Sequence, residues 1–362
     1  MRAAKAVYPV LGVTVVTIGI IAWGCSPSTS GPPVGGGGQV GNNNTTGMGG
    51  GDTSGAGGVS GNTITLPQPP SFGGQGGTST VTTIPWPPPG FVNVTGASIG
   101  DYATSQDPLT STSGSGGSGG SSGTTGQAQC TNILFGVVRD FKMSTQGGTN
   151  PDFEQQPTVV ADDRGIVTDN LGSDGKPVYG DHPNGTATTH GANYFNQWYS
   201  DVDGVNIPYV VALHFVQSGS VYTFAATLGN TGGVPNVSYF PLDGLGFNDE
   251  AQGADGKMHN FSFTTEIHTS FTYNGGETFT FKGDDDIWVF INNKLAIDLG
   301  GIHQQETQSV DLDSQASNLG ITKGNSYPLA VFNAERHVVQ SNFRIDTTLT
   351  FTNCGFVEGT IY

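Results

Sequence analysis

Three adjacent carboxylates at positions 284–286, directly before five consecutive apolar residues, are the strongest candidates for chemistry in this chain. Asp284, Asp285 and Asp286 repel one another unless they are solvated or a cation lies among them. The apolar run, residues 287–291, is short and rich in β-branched and aromatic types, which predicts a strand buried on both faces. The triplet is therefore interpreted either as a solvated loop or as a metal site.

The elements around this triplet are predicted to be strands. Asn292 and Asn293 indicate a tight turn into a second strand, residues 294–299. Helical periodicity is weak, although residues 194–199 fit a short helical turn. Other predicted strands are 207–216, 221–228, 259–273, 278–281, 308–312, 327–332 and 343–351. Many short strands with polar turns predict an all-β fold, a single antiparallel sandwich or barrel.

The N-terminus has the pattern of an export signal. Arg2 and Lys5 precede an apolar run at 10–21, which is too short to span a membrane comfortably and is followed by Cys25. Residues 1–24 resemble a bacterial lipoprotein signal, with Cys25 lipidated as the new N-terminus. An ordinary secretory signal cleaved nearby is the alternative, and both interpretations export the protein.

Composition divides the remainder into two parts. Residues 25–129 are rich in Gly, Ser, Thr and Pro and contain no Lys or Arg, which predicts a disordered tether. Residues 130–362 have the apolar runs of one β domain. Cys130 and Cys354 bracket that domain, and in an oxidising compartment they are expected to form a disulfide. Two free thiols are the alternative.

The formal net charge of −17 restricts the possible partners. No basic patch is present to attract phosphate groups, so nucleic acid and anionic lipid headgroups are not expected to bind. Contact with a membrane is predicted only through the lipid anchor. Cations, neutral glycans and peptides remain as partner classes.

Several motifs together resemble the fibro-slime domain, a branch of the anthrax protective-antigen-type β module that also occurs in toxins, glycosidases and yeast adhesins. The longest is Gly-Asp-Asp-Asp-Ile-Trp-Val-Phe-Ile-Asn-Asn-Lys-Leu-Ala-Ile-Asp-Leu-Gly-Gly-Ile-His at 283–303. Further matches are Asn-Ala-Glu-Arg-His at 333–337 and the segments at 136–141, 172–179, 195–199, 240–244 and 341–347. The resemblance covers 131–353 and implies a β-barrel-like sandwich.

The resemblance also implies a calcium site. In sugar-binding adhesins of the broader family, two consecutive aspartates joined by a cis peptide coordinate calcium. A second loop supplies an Asn, and sugar hydroxyls complete the coordination. The correspondence places the pair on Asp284 and Asp285, with Asp286 beside them and Asn333 on the second loop. In the alternative interpretation, the aspartates only cap turns through bonds to the backbone.

Four further residues are weaker candidates for ligand contact. Glu335 either joins the metal ligands or pairs with Arg336 or Arg344. Arg336 and His303 lie in the same motifs, and His303 is otherwise a satisfied or solvated histidine. Trp198 either stacks on a sugar ring or fills the core, as aromatic residues in β domains usually do.

The sequence favours a binding protein over an enzyme. It contains no nucleophile elbow, HExxH motif or P-loop, and calcium among the carboxylates would oppose a general-acid role. The predicted function is a surface-displayed, calcium-dependent carbohydrate-binding or adhesion module for glycans of slime or extracellular matrix, held at the outer membrane or cell surface. Alternatives are a structural matrix protein that assembles through protein contacts, and an accessory domain of glycan-degrading machinery.

Overall fold

A computed structural model describes most of the C-terminal two thirds of the chain. The described residues are 86–88, 90–92, 100–109, 132–153, 159–226, 238–338 and 340–355. Strands β1 to β10 are Phe91–Val92, Tyr102–Ser105, Ile133–Phe141, Ala161–Asp162, Val167–Leu171, Pro177–Tyr179, Asn206–His214, Val216–Ser218, Val221–Ala226 and Ala251–Gln252. Strands β11 to β20 are Met258–His259, Phe263–Tyr273, Thr278–Gly283, Asp286–Ile291, Lys294–Leu299, Gly301–Ile302, Glu306–Asp311, Asn325–Glu335, Phe343–Thr347 and Thr350–Phe351. Helices α1 and α2 are Ala192–Phe195 and Leu312–Leu319.

Two antiparallel sheets form the body of the domain. The larger has eleven strands in the order β1-β2-β7-β3-β12-β18-β14-β15-β5-β6, with β20 also paired to β12. The smaller has five strands in the order β17-β13-β19-β9-β8. The predicted all-β sandwich is therefore confirmed. Within the described residues, no helix is both long and apolar enough to cross a membrane.

The main core lies between the two sheets. Strand β12 shows the pattern, because alternate side chains such as Phe263, Ile267 and Phe271 enter this core. Phe281 of β13 and Phe343 of β19 approach from the smaller sheet and pack edge-to-face at 4.8 Å. Burial of such large side chains supplies most of the stabilisation of the sandwich.

A second core covers the outer face of the larger sheet. Side chains from residues 141–153 and 166–205 form this cover, and among them Phe195 and Trp198 pack on Trp288 of β14. Strand β14 is therefore buried on both faces along its whole length, as predicted. Asn292 and Asn293 follow it with φ angles of 52° and 61°, the left-handed pair typical of a two-residue hairpin turn.

The ordered domain begins earlier than the sequence indicated. Strands β1 and β2 lie within the predicted tether, yet β2 pairs with β7, and Tyr102 and Ala103 are buried. This part of residues 25–129 is therefore folded, because a few apolar residues in a polar segment complete an existing sheet edge. Residues 1–85, with Cys25, lie outside the described residues.

The C-terminal cysteine lies beside this N-terminal addition. Cys354 is disulfide-bonded and packs among Phe91, Phe135 and Ala212 in a third apolar cluster. Cys130 lies outside the described residues. The pairing of Cys130 with Cys354 therefore stays a prediction.

Candidate functional site

The loop before β14 and the segment around Asn333 meet at one end of the larger sheet. The predicted position of Asn333 on a second loop is wrong, because strand β18 continues through Asn333 to Glu335. Strands β14 and β18 are antiparallel, with Asp286 opposite Ala334, so the start of β14 lies beside the end of β18. Asp284 and Asp285 form the loop before β14, and Glu335 ends β18. We call Asp284, Asp285 and Glu335 the acid cluster.

Burial excludes the solvated-loop interpretation. Asp284, Asp285 and Asp286 are 6%, 3% and 0% exposed, and Glu335 is 1% exposed. Carboxyl groups held this far from water need compensation, or their charge is strongly disfavoured. How each one is compensated therefore decides what the site can do.

Each aspartate of the triplet accepts a hydrogen bond from a backbone N–H of a different segment of the chain. The bonds run from Asn342 to Asp284 Oδ1 (2.6 Å), from Arg336 to Asp285 Oδ2 (2.8 Å) and from Gly301 to Asp286 Oδ1 (2.7 Å). The backbone-capping alternative thus describes part of what the triplet does, although the partners are distant in sequence. The peptide bond between Asp284 and Asp285 is not cis, and Asp285 has a left-handed φ of 50°.

Asp286 differs from its neighbours because it has a buried counter-charge. Arg336 Nη2 lies 2.6 Å from Asp286 Oδ2, and both side chains are fully buried. The Arg336 guanidinium also donates to Thr188 O at 2.7 Å and lies 4.6 Å from the centre of the Trp198 ring. In this structure Arg336 and Trp198 are therefore internal packing groups that no ligand reaches.

The acid cluster has no such counter-charge. Within the described part of the chain, no Lys or Arg side chain forms an ion pair with Asp284, Asp285 or Glu335. Arg344, an alternative partner for Glu335, instead pairs with Asp346. Glu335 Oε1 is buried without a hydrogen-bond partner. A buried carboxylate oxygen without a hydrogen-bond partner destabilises the folded state, so a cation or a hydrogen-bond donor at this atom would be stabilising.

The pKa values of the acid cluster also indicate that its negative charge is not compensated. Burial raises the pKa of Asp284 to about 6, against the opposing bonds from Asn342. Burial and the charge of Asp284 raise the pKa of Asp285 well above its ordinary range. Burial, Asp285 and Asp284 do the same to the pKa of Glu335. Ionisation of all three groups is therefore energetically unfavourable unless a cation lies among them.

The oxygen atoms of the cluster are of the kind that binds a hard divalent cation, but they are not arranged as a complete coordination shell. Carboxylate and amide oxygens are what calcium prefers, and Asn333 is close by, with its Nδ2 donating to Asp286 O at 3.2 Å. Among the described residues, no three His, Cys, Asp or Glu side chains already converge on one point. An ion would have to draw the cluster inward, which would relieve its internal repulsion.

His303 lies beside the cluster and is held by the backbone. It is 7% exposed, and its ring nitrogens lie 2.8 Å from Gln304 O and 3.1 Å from Leu299 O. Carbonyl oxygens only accept, so both contacts are hydrogen bonds at once only when both ring nitrogens carry protons. Its backbone carbonyl also accepts from Asp285 N at 3.4 Å.

A second buried charged group was not found from the sequence. Glu266 of β12 is 3% exposed and bonds Arg139 Nη1 at 2.7 Å, Lys176 Nζ, and His268 Nε2 at 2.8 Å. We call Glu266, Arg139, Lys176 and His268 the paired hub. A charged residue within a buried strand could have indicated Glu266, but its partners Arg139 and Lys176 lie far from it in the sequence.

Comparison with known proteins agrees with the fold. The family model of the PA14 domain matches residues 245–355, which contain the whole acid cluster. This match covers less than half of the chain. It supports the predicted relation to the protective-antigen-type module.

Several curated relatives come from Dictyostelium discoideum. Protein psiR is 40% identical over 248 residues, which cover 64% of this chain and 23% of psiR. Protein psiD is 40% identical over 222 residues, covering 58% of this chain and 41% of psiD. The chain therefore spans less than half the length of these relatives. Among solved structures, an anti-sigma factor domain-containing protein aligns at 12% identity over 63% of this chain and 79% of its own, with a TM-score of 0.21, too low to support an argument.

Proposed function

We propose that this chain is an exported adhesion module of the fibro-slime branch, in which the acid cluster binds one calcium ion that contributes to glycan recognition. The observation that carries the proposal is the set of three buried carboxyl groups that form no ion pair within the described residues, together with the Glu335 oxygen that has no hydrogen-bond partner there. The PA14 match over 245–355 supports it, because modules of this type serve in carbohydrate binding and adhesion.

The proposed ligands differ from those predicted from sequence by one exchange. Asp284, Asp285 and Glu335 supply carboxylate oxygens, and Asn333 supplies its amide oxygen. Asp286 is assigned instead to the ion pair with Arg336, because the guanidinium already neutralises its carboxylate. When bound, calcium would supply the missing positive charge. A weak site suits an extracellular module surrounded by millimolar calcium.

The glycan would have to reach the ion at the edge of the cluster. The groups next to the cluster with access to solvent are polar: Gln304 and Gln340 are exposed and His337 is partly exposed. Amide groups of this kind can hydrogen-bond sugar hydroxyls. We assign the glycan contact to these residues together with one face of the ion, and no catalytic role to the site.

The direct test is a glycan array probed with the full chain in calcium and in excess chelator. Binding that disappears in chelator and in the Asp284→Asn, Asp285→Asn double variant is the expected result. Asp313→Asn is a matched control, because Asp313 is a half-exposed carboxylate paired with Lys323 on another face. Glycan binding unchanged by chelator would contradict the calcium-bridged mechanism.

A second function is favoured by one specific observation, the nearly complete burial of the acid cluster. A buried ion could act only as a clamp between loops, in a structural matrix protein that assembles through protein contacts. In that case calcium would raise the thermal stability of the chain while no glycan on the array bound. The same two measurements therefore separate the two functions.

The location of the protein is proposed from the sequence. Export and lipid anchoring through Cys25 would display the domain at the cell surface. Mass spectrometry of the membrane fraction checks this, with lipid expected on Cys25 and absent in Cys25→Ser. An unmodified, intact N-terminus would contradict it.

A further inference from the structure

One buried histidine joins the hairpin of β10 and β11 to the loop that precedes it. His259 is 9% exposed, and its ring lies flat on the ring of Phe240, with centres 3.8 Å apart and planes inclined by 8°. The turn of the hairpin, residues 253–257, packs against the edge of the same ring. A Cβ atom on Gly253 would lie 2.9 Å from His259 Cδ2 and 3.5 Å from Phe261 Cζ. The imidazole therefore lies between the body of the domain and the turn.

Two carboxylates from different segments hold the two ring nitrogens of His259. Nδ1 lies 2.6 Å from Asp243 Oδ2, in the loop after Phe240, and Nε2 lies 3.2 Å from Asp255 Oδ1, in the turn of the hairpin. Ionised carboxylate oxygens only accept, so both contacts are hydrogen bonds at once only when both ring nitrogens carry protons. The geometry is therefore that of an imidazolium between two carboxylates.

The two carboxylates differ in how they are held. Asp243 Oδ1 accepts from Asn260 N at 2.9 Å, which fixes it to the chain that follows the hairpin. Among the described residues, the bonds of Asp255 other than that to the ring lie within its own turn, where Oδ1 accepts from Lys257 N at 3.0 Å. Gly253 N closes this turn by donating to Lys257 O at 2.8 Å. The turn can therefore move away from the ring with its internal bonds intact.

The charges next to the ring favour its protonated form. Burial lowers the pKa of His259, but the hydrogen bonds and negative charges of Asp243 and Asp255 outweigh it, so the pKa is raised above its ordinary value of 6.5. The stabilisation from this group is therefore complete below pH 6.5 and is lost as pH rises through the raised pKa. The other titratable side chains on the elements packed around the ring are Asp140, Asp249, Glu250, Lys257 and His337.

We propose that His259 is a pH-sensitive clasp, which holds the turn at residues 253–257 against the domain while both ring nitrogens are protonated and releases it when Nε2 loses its proton. Nδ1 keeps its proton because its bond to the fixed Asp243 is the shorter one. The bare Nε2 then faces the Asp255 carboxylate, and two acceptors repel each other. The turn moves away and the ring of Phe261 becomes accessible to solvent. This clasp lies outside the acid cluster and does not depend on calcium.

Nuclear magnetic resonance on the full chain, labelled at glycine and histidine, tests the clasp directly. Below pH 6.5 we expect both ring nitrogens of His259 to be protonated and a strong nuclear Overhauser effect between Gly253 Hα and His259 Hδ2. As pH rises through the raised pKa, the ratio of released to closed turn should increase by up to about tenfold per pH unit, with Nδ1 alone protonated at the end. An Overhauser effect that persists unchanged to about pH 9, or a neutral ring protonated on Nε2, would overturn the proposal.

Two variants separate the clasp from other groups that titrate in this range. Burial raises the pKa of Asp140 to about 7, and this carboxyl bonds Asn260 beside the ring. Asp255→Asn should lower the pKa of His259 and keep the turn closed at every pH, because an amide group can bond either form of the ring. Lys257→Gln is the matched control, since Lys257 is 78% exposed in the same turn and its loss should leave the release unchanged. Release in Asp255→Asn equal to that of the parent chain would assign the transition to Asp140 and contradict the clasp.

Discussion

The acid cluster and the paired hub both contain buried carboxylates at the larger sheet, and these carboxylates are compensated in opposite ways. Glu266 of the hub is surrounded by groups of the chain itself, including Arg139 at 2.7 Å. Glu335 of the cluster has an oxygen with no partner. The two glutamates lie on neighbouring strands, so the difference arises from their surroundings and not from their depth.

The pKa values express this contrast. Burial alone would raise the pKa of Glu266, but Arg139, His268 and Lys176 outweigh it and hold the pKa below its ordinary value. In the cluster, burial raises the pKa values of all three groups, and repulsion from neighbouring carboxylates adds to this increase for Asp285 and Glu335. A buried carboxylate therefore indicates a cation site only where the chain supplies no counter-charge. Arg336 separates the two cases, because it forms an ion pair with Asp286 and none with the acid cluster.

Replacing Arg336 is expected to have the largest effect on the stability of the fold. Arg336→Gln leaves the buried carboxyl group of Asp286 without its ion-pair partner, which should lower the free energy of unfolding by about 3–5 kcal/mol. Urea denaturation in chelator measures this. Calcium should recover part of the loss, because the freed Asp286 can turn to the ion. Arg344→Gln is the control, since its pair with Asp346 is partly exposed and worth at most about 1 kcal/mol. Equal losses in the two variants would contradict the assignment.

The dependence of stability on pH should separate the two groups by sign. A carboxyl whose folded pKa is raised is favourable while protonated, so its contribution is lost as pH rises through the folded pKa. For Asp284, shifted from 3.8 to about 6, this loss is on the order of 3 kcal/mol between pH 4 and 6. Glu266 acts in the opposite direction, because its pKa is lowered and its contribution is lost only as pH falls below its ordinary range.

The measurement is a pair of stability curves, one in calcium and one in chelator. Asp140 also has a raised pKa, to about 7, through burial, and contributes a slope of the same sign. Its bonds run to Phe247 and Asn260, outside the acid cluster, so only the difference between the curves reports on the cluster. Curves that stay parallel from pH 4 to 6 would exclude calcium from this site.

Calcium itself should stabilise the chain through the cluster and not through the hub. At an ion concentration one hundred times Kd, the free energy of unfolding should rise by about 2.7 kcal/mol. Glu335→Gln should abolish this gain. Glu266→Gln should keep it, although the variant is less stable throughout. Thermal melts with and without calcium measure both, and a full calcium gain in Glu335→Gln would place the ion elsewhere.

The sequence predicted the acid cluster better than the paired hub, because the residues of the cluster lie in recognisable motifs whereas most partners of Glu266 are distant in the sequence. Asp284 and Asp285 stand out beside an apolar strand, and a motif carries Glu335. The hub joins Glu266 to residues up to 127 positions away, and no local pattern reports that contact. The longer strands from β7 onward were predicted from their apolar runs, whereas the fully buried strand β3 was not predicted. Helix α2 was missed although Asp311 caps it and Gly320 ends it, because its middle is polar and only Leu312 and Leu319 are buried.

The smallest expected effect is the loss of stability when Lys176 is replaced. This substitution tests whether Glu266 has more positively charged partners than it requires. Lys176 is 27% exposed, whereas Arg139 is 6% exposed, so the ammonium is partly solvated and its attraction to Glu266 is weakened. Lys176→Met should therefore cost only about 1 kcal/mol, because an ion pair of this exposure contributes little and Arg139 and His268 still bond the carboxylate. Arg139→Met should cost several times more, since it also releases Asp201. Equal losses in urea denaturation would mean that Glu266 depends on every one of its partners, and the contrast with the acid cluster would then be one of degree.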